Sequence, residues 1–153
     1  MENQRFKFRV WDIEDCAYFD PRDFDALWLN ENAELRVGFY SDATQMIEDY
    51  TDNVIIEQCT GLKDKNGNLI YEGDIIHEVD KEADIDDVSQ IVWNQGTCHF
   101  MKLDLPETGL DRYCILCEDD SPYIEIIGNI HEQPEQKDGK WNTFGLELKI
   151  IVK

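Results

Sequence analysis

Short runs of alternating apolar and polar residues, each closed by a turn, constrain the fold of this chain more than any other feature. The stretch from Thr60 to Ile76, TGLKDKNGNLIYEGDII, has an Asn-Gly turn at Lys65–Asn68 and then a strand interrupted at Glu72-Gly73-Asp74. Asn-Gly reaches positive φ at low cost, and a glycine inside a strand is typical of a bulge or tight bend. Segments of this kind fold as strands, so the stretch predicts scaffold and not a catalytic site.

The same pattern extends along most of the chain. The predicted strands are 5–12, 26–29, 34–40, 54–60, 68–79 with its interruption, 88–93, 97–103, 112–118 and 123–132, the last kinked at Gly128. Ser41–Asp52 is predicted to be a short helix, because Ser41 or Asp42 can cap it and Met46, Ile47 and Tyr50 form an apolar stripe. Short antiparallel strands with frequent turns and one short helix predict a mainly β fold, a small SH3-like barrel or pseudo-barrel.

Composition describes a globular and strongly acidic chain. Of 153 residues, 34 are Asp or Glu and 14 are Lys or Arg, so the formal net charge is −20. A chain of this length folds as one domain and buries about 70% of its unfolded surface, so neither disulfides nor a metal are needed. No apolar run approaches the ~20 residues of a membrane span, and the N-terminus lacks a signal-peptide core, so a cytoplasmic location is expected.

Charge also limits the kinds of partner. Phosphate backbones are bound by basic surfaces, so the net charge disfavours direct nucleic-acid binding. The acid either forms a solvated surface that keeps the protein soluble, or competes with nucleic acid for a basic protein. For the second interpretation the candidate segments are an acidic loop at Asp80–Asp87, Glu118–Asp120 and the run from Asp15 to Asp25. The candidate contacts named from the first two segments are Asp80, Glu82, Asp84, Asp86, Asp87, Glu118, Asp119 and Asp120.

A basic stripe on the first strand supports a different contact. Arg5, Lys7 and Arg9 alternate with apolar residues, and Trp11 follows on the same side. Most stripes of this kind are the solvated face of a strand. The alternative is a nucleic-acid-binding small barrel, in which the three cations meet the backbone and Trp11 stacks on a base.

Metal and cofactor sites are not predicted. Cys114-x-x-Cys117 is half of a zinc pattern, but residues i and i+3 of a strand point to opposite faces. The acids from Asp80 onward resemble a calcium loop, yet Ile85 stands where an EF-hand needs Gly and Ile91 where it needs Glu. The five scattered cysteines are expected to be reduced thiols, and the three isolated histidines to be structural.

One enzymatic alternative lies near the C-terminus. Glu135, Glu147 and Lys149 loosely resemble the PD-(D/E)xK nuclease pattern, in which carboxylates hold Mg²⁺ beside a lysine. Leu146–Lys153 alternates as a strand. If that strand is left unpaired it would favour self-association into a homo-oligomer.

Four segments, taken in order, resemble the YopX family: KFRVWD, TGLKDKNGNLIYEGDII, IVWNQGTCHF and IEIIGNIHEQPE. The resemblance covers Lys7–Asp12 and then, with gaps, Thr60–Glu135. It implies a β-rich fold and a phage or prophage origin, and it carries over no catalytic residue. The domain is accordingly placed at residues 1–135 with a variable insert at 17–53, followed by a C-terminal β extension at 136–153.

The predicted function is therefore non-enzymatic. We expect a phage or prophage accessory protein, acting in the cytoplasm of the bacterial host, that binds a host or phage protein and possesses no cofactor. A more specific version of this prediction is an acidic decoy, a protein whose acidic surface competes with nucleic acid for a basic partner. The alternatives are the nucleic-acid-binding small barrel and the Mg²⁺-dependent nuclease.

Overall fold

The computed structural model describes residues 7–20, 26–30, 32, 35–40, 45–49, 52–104 and 113–132. These ranges contain twelve strands and a 3-10 helix at Glu118–Asp120. The strands are β1 (Phe8–Asp12), β2 (Ala17–Tyr18), β3 (Ala26–Leu29), β4 (Leu35–Tyr40), β5 (Gln45–Asp49), β6 (Val54–Lys63), β7 (Leu69–Tyr71), β8 (Asp74–Asp80), β9 (Ile85–Asn94), β10 (His99–Asp104), β11 (Tyr113–Ile115) and β12 (Ile124–Asn129).

The strands form three antiparallel sheets. One has five strands in the order β11-β10-β9-β8-β12 and curls into a half-barrel, the second has the order β2-β1-β6-β7, and the third has the order β3-β4-β5. The register of β12 on β8 shifts between Ile126 and Gly128, which places a bulge at the predicted kink. The prediction of a mainly β small barrel or pseudo-barrel is confirmed.

The core lies on the inner face of the half-barrel. Ile76, Ile91 and Ile124 are 0% exposed and come from neighbouring strands of the five-stranded sheet. Ile70 of β7 and Leu116 complete the cluster. Burial of each large aliphatic side chain contributes about 1.5–3 kcal/mol, so these isoleucines hold β7 against the five-stranded sheet.

The turn chemistry of the central stretch is confirmed. Gly67 and Gly73 have φ of +87° and +83°, values that glycine reaches without strain. Asp64 organises the first turn, where its Oδ1 accepts hydrogen bonds from the backbone N–H groups of Asn66 (2.9 Å) and Asn68 (2.8 Å). Asp74 acts similarly at the second bend, since its Oδ2 accepts from the N–H of Tyr71 at 2.8 Å. Both aspartates belong to the scaffold.

Asp64 should make the stability of the fold depend on pH in the acid range. Burial alone would raise the pKa of Asp64, but hydrogen bonds from Asn68, Ile126 and Asn66 outweigh it and hold the pKa below its ordinary value. A depressed folded pKa stabilises the protein above the unfolded pKa of about 4, and this stabilisation is lost as the pH falls through the folded pKa. We expect Asp64→Asn to lower the free energy of unfolding by about 1–2 kcal/mol at pH 7.

This difference between wild type and Asp64→Asn should shrink below pH about 4. Denaturant titrations at pH 7, 5 and 3 measure it, with the exposed Asp52→Asn as the control. A difference that stays constant down to pH 3 would contradict the assignment of the carboxylate as the stabilising form.

The predicted helix at Ser41–Asp52 is wrong. Gln45–Asp49 is strand β5, paired along its whole length with β4 from Arg36↔Asp49 to Tyr40↔Gln45. An isolated helix shorter than about 12 residues is marginal, so its own hydrogen bonds stabilise such a segment weakly. Pairing with β4 provides hydrogen-bond partners for the same backbone N–H and C=O groups, and this outweighs the local capping pattern.

Two details of the hairpins also differ from the prediction. Asp80–Asp87 is not all loop, because β8 extends to Asp80 and β9 begins at Ile85, paired with it. Charged residues are compatible with strand structure at these positions because their side chains are mostly exposed to solvent, while the backbones of β8 and β9 remain paired. In the β9–β10 turn the sequence Asn94-Gln95-Gly96 predicts a left-handed residue at Gly96, but that residue is Cys98, with φ of +55°.

Several predictions fall on residues outside the described ranges. They are the Arg5 contact, residues 21–25 of the acidic run Asp15–Asp25, the nuclease residues Glu135, Glu147 and Lys149, and the C-terminal extension 136–153 with its proposed self-association. In the part of the chain that is described, no helix combines the length and apolar character that crossing a bilayer requires.

Candidate functional site

Two acidic segments that are distant in sequence meet at one end of the half-barrel. The first is the tip of the β8–β9 hairpin, from Glu78 to Asp87, and the second is the 3-10 helix Glu118–Asp120. The turn after the helix is joined to β8, since the N–H of Val79 donates to the carbonyl of Tyr123 at 3.1 Å. We call this region the acidic end; with Lys102 it comprises nine carboxylates and two lysines.

Lys102 of β10 holds the acidic end together. Its Nζ lies 2.7 Å from Glu78 Oε2 and 3.2 Å from Asp120 Oδ2, and it is buried. Burial alone would lower the pKa of Lys102, but Glu78 and Asp120 outweigh it and raise the pKa, so the ammonium remains charged. Asp120 also accepts a hydrogen bond from the N–H of Cys117 at 2.9 Å. The lysine therefore fixes the 3-10 helix against the hairpin.

The predicted acidic contacts divide into two groups. Three have structural partners: Asp80 Oδ1 accepts from the N–H of Glu82, Asp86 lies 2.7 Å from His77 Nε2, and Asp120 binds Lys102. The others are exposed on the hairpin and on the helix. This exposed group consists of Glu82, Asp84, Asp87, Glu118 and Asp119.

Tyr123 adds an aromatic side chain to the acidic end that sequence reasoning missed. It is 42% exposed and follows the 3-10 helix, where its N–H donates to the carbonyl of Asp120 at 2.9 Å. An exposed tyrosine beside carboxylates can stack on a guanidinium or meet an ammonium through its ring face. The turn DDSPY offered a sequence signal, since it leaves an aromatic residue between a turn and a strand.

A second polar cluster, the Glu57 network, lies where β1, β6 and the β7–β8 bend meet. Arg9 Nε lies 2.5 Å from Glu57 Oε2, and Arg9 Nη2 lies 2.6 Å from Asp74 Oδ1. Glu57 also accepts from Tyr18 Oη at 3.0 Å, and its Oε1 lies 2.9 Å from His131 Nε2. Exposure is 23% for the Arg9 side chain, 2% for Glu57 and 1% for Asp74, so the network is an interior one.

Electrostatics in the Glu57 network follow from burial and the central cation. Burial alone would lower the pKa of Arg9, but Asp74 and Glu57 outweigh it, so the guanidinium remains charged. Burial raises the pKa of Asp74, and Arg9 opposes part of that shift. Burial likewise raises the pKa of the Tyr18 phenol well above its ordinary value. Tyr18 therefore stays protonated and donates its hydrogen bond.

Aromatic rings close over this network. Trp11 is stacked on His131 with ring centroids 4.4 Å apart, and Tyr18 meets Trp11 edge to face at 5.0 Å. The Arg9 guanidinium lies over the rings of Tyr18 and Tyr71, at 4.6 Å and 4.9 Å. The arrangement contains a cation, two carboxylates and an imidazole. Each of these groups is paired with another group of the protein.

The described residues of the basic stripe are buried or half-buried. The guanidinium of Arg9 pairs with two carboxylates, Trp11 is 7% exposed, and Lys7 is half-buried. These placements do not favour a nucleic-acid contact through Arg9 and Trp11. The sequence signal that pointed to the interior role was Glu57, a single acid in the run VIIEQC that pairs across the sheet with Arg9.

The five cysteines lie at scattered positions of the fold. Cys114 and Cys117 are free and exposed, as are Cys16 and Cys98, whereas Cys59 is buried. Within the described residues, no three His, Cys, Asp or Glu side chains are grouped so as to hold a metal ion.

Comparison with known proteins concerns family and fold. The sequence profile described as "YopX protein" matches residues 7–136. Protein yopX from Bacillus subtilis has a similar solved structure, with a TM-score of 0.58, 20% identity, and 86% of this chain and 97% of that chain covered. Protein EF1440 from Enterococcus faecalis is also similar, with a TM-score of 0.46, 25% identity, and 84% and 95% covered. No curated protein matches significantly.

The profile match spans most of the chain and contains both clusters described above, from Arg9 of β1 to His131 after β12. The Bacillus subtilis structure shares the mainly β fold. This protein belongs to the YopX family.

Proposed function

We propose that this chain is a non-enzymatic accessory protein that binds a basic protein through the acidic end. The observation that supports this best is the meeting of two separate acidic segments around the buried Lys102. Glu82, Asp84 and Asp119 are exposed in this region, and the exposed Tyr123 follows the 3-10 helix. Carboxylates in such a group attract a basic surface over several ångströms and increase the rate of association.

In its sharper form, the proposal is that the acidic end occupies the nucleic-acid groove of its partner. A groove built for phosphate is lined by Lys and Arg, which also pair with carboxylates, and a base-stacking position accepts a tyrosine ring. Direct binding of nucleic acid by this chain is disfavoured by its charge of −20. The setting that we propose is phage or prophage biology in the cytoplasm of a bacterial host.

Neutralising the exposed acids should weaken binding without unfolding the protein. The partner is captured from nuclease-treated bacterial lysate, purified, and measured against wild type and the variant Glu82→Gln/Asp84→Asn/Asp119→Asn. We expect a loss of affinity of at least about tenfold at about 0.05 M salt, because three charges facing a basic groove are removed. The matched control removes three acids elsewhere, Glu14→Gln/Asp52→Asn/Glu125→Gln, and should bind as wild type does.

Two further outcomes separate a decoy from an ordinary acidic contact. Duplex DNA should displace the chain from its partner, and wild-type affinity should fall steeply as salt is raised to about 0.5 M. Binding that ignores salt, or that survives saturating duplex, would overturn the decoy proposal. Equal loss in the two triple variants would place the contact outside the acidic end.

A further inference from the structure

A cleft of about 150 Å³ opens beside the Glu57 network. It lies between β6, the β7–β8 bend and β9, and five of its nine lining residues are aliphatic. The lining residues are Ile55, Ile56, Glu57, Glu72, Gly73, Gln90, Ile91, Val92 and Ile130. Since a water molecule occupies about 30 Å³ in the liquid, the cleft has room for roughly five waters or for a short aliphatic chain.

Two carboxylates line this apolar space, and they differ in how their charge is balanced. Glu57 is bound by Arg9, Tyr18 and His131. Glu72 accepts hydrogen bonds from the backbone N–H groups of Trp93 and Gln58, and in the described part of the chain no cation pairs with its side chain. A half-buried carboxylate without a counter-charge is costly beside apolar walls.

The raised pKa of Glu72 also indicates a carboxylate that lacks a counter-charge. Burial raises the pKa of Glu72, and the nearby charge of Glu57 raises it further. A perturbed carboxyl in a cleft is a recognised mark of a binding site when geometry supports it. Here the geometry is the cleft itself, held by Gly73, whose position admits no Cβ because that atom would come within 2.5 Å of Glu57 Oε1.

We propose that this cleft binds a primary alkylammonium group, either the side chain of a lysine or a free small amine. The aliphatic walls of Ile55, Val92 and Ile130 would contact the methylene chain, and the ammonium would meet the Glu72 carboxylate and the Gln90 side chain. An ammonium is a compact point charge, and one carboxylate oxygen is enough to form an ion pair with it. A guanidinium fork fits less well, because the Glu72 carboxylate already accepts from the N–H groups of Trp93 and Gln58. The site is independent of the acidic end and of the function proposed there.

The test uses the full chain and follows backbone amide signals by NMR during titration with n-butylammonium at pH 7. We expect saturable shifts at Gly73, Ile91 and Trp93, with a Kd on the order of 1 mM for so small a ligand. The uncharged n-butanol should bind at least about tenfold more weakly, since it lacks the ion pair. Titration with Nα-acetyl-lysine N-methylamide distinguishes the sources, because the cleft must admit a lysine side chain that carries its backbone.

Variants then identify the groups responsible. Glu72→Gln should weaken butylammonium binding at least about tenfold, whereas Glu14→Gln, which removes the same charge from an exposed turn outside both sites, should leave it unchanged. Ile55→Phe narrows the cleft without altering a carboxylate and should also abolish the shifts, so the test does not depend on one variant folding. Equal responses to butylammonium and butanol, or unchanged binding by Glu72→Gln, would overturn the proposal. Binding of both amines would support a protein lysine as ligand, and binding of butylammonium alone a free amine.

Discussion

Replacing Arg9 with methionine is expected to lower the free energy of unfolding by about 3–5 kcal/mol. Methionine keeps much of the aliphatic volume but leaves the Glu57 and Asp74 carboxylates, 2% and 1% exposed, without their shared cation. Removing one partner of a buried ion pair is far more costly than the pair is stabilising, because the remaining charge stays desolvated. The loss is measured by urea titration of wild type and Arg9→Met at pH 7.

Lys65→Met is the matched control for this loss. It also removes one positive charge, but Lys65 pairs with Glu125 on the surface, with both side chains substantially exposed. Exposed ion pairs contribute about 0–1 kcal/mol, so the control should lie within that range. Equal losses in the two variants would mean that the Arg9 pairs contribute no more than a surface bridge.

The pH dependence of Arg9→Met separates lost charge from lost packing. The pKa of Asp74 is already above its ordinary value because of burial, and removing Arg9 removes the main effect that opposes the shift. A raised folded pKa stabilises the protein at low pH, and this stabilisation is lost as the pH rises through the folded pKa. The deficit of the variant should therefore shrink as the pH falls from 7 toward about 4. A deficit independent of pH would indicate a packing defect.

The second large effect is expected at Lys102. Lys102→Met leaves Glu78 buried and Asp120 half-buried without their common cation, and we expect a loss of about 3–5 kcal/mol. The 3-10 helix should also lose its side-chain attachment to β8 and β10, because Lys102 of β10 pairs with both Glu78 and Asp120. Hydrogen exchange at Ser121 and Tyr123, whose N–H groups donate to Glu118 and Asp120, reports this loosening.

Lys81→Met is the corresponding control, since Lys81 lies on the exposed hairpin tip of the same acidic end. Surface substitutions of this kind usually change stability by about 0.5 kcal/mol or less. If both lysine variants lose the same stability, the effect comes from the net charge of the region and not from the buried ion pairs. Unchanged exchange at Tyr123 in Lys102→Met would show that other contacts hold the helix.

Local turn chemistry made the central part of the fold predictable. The bend at Gly73 and the turn at Gly67 follow from backbone preferences of single residues, and the predicted strands around them exist. The helix predicted over Ser41–Asp52 failed because its stability was judged from local capping alone. The backbone of Gln45–Asp49 is satisfied by β4, a partner that no local pattern reveals.

The two clusters were predictable to different extents. The acidic segments are visible in the sequence as charge runs, but they meet through the pairing of β12 with β8 and through Lys102, and nothing in the sequence HFMKLD indicates that this lysine is buried. Arg9 and Trp11 were singled out as surface residues because one face of an alternating strand was expected to be solvated. Both faces of β1 are covered, since Val10 and Trp11 are buried side by side.

The Glu57 network also has a consequence for how the chain reaches its native state. Its contacts join residues separated in sequence by 48, 65 and 74 positions. Contacts of such separation require large loops to close first, which slows folding and places it among topologies of high contact order. Until β1, β6 and β8 have assembled, Glu57 or Asp74 lacks its pairing with Arg9, and until the segment after β12 joins them Glu57 lacks its contact with His131. Partially assembled forms are thereby penalised, and we expect the core to form in one cooperative step.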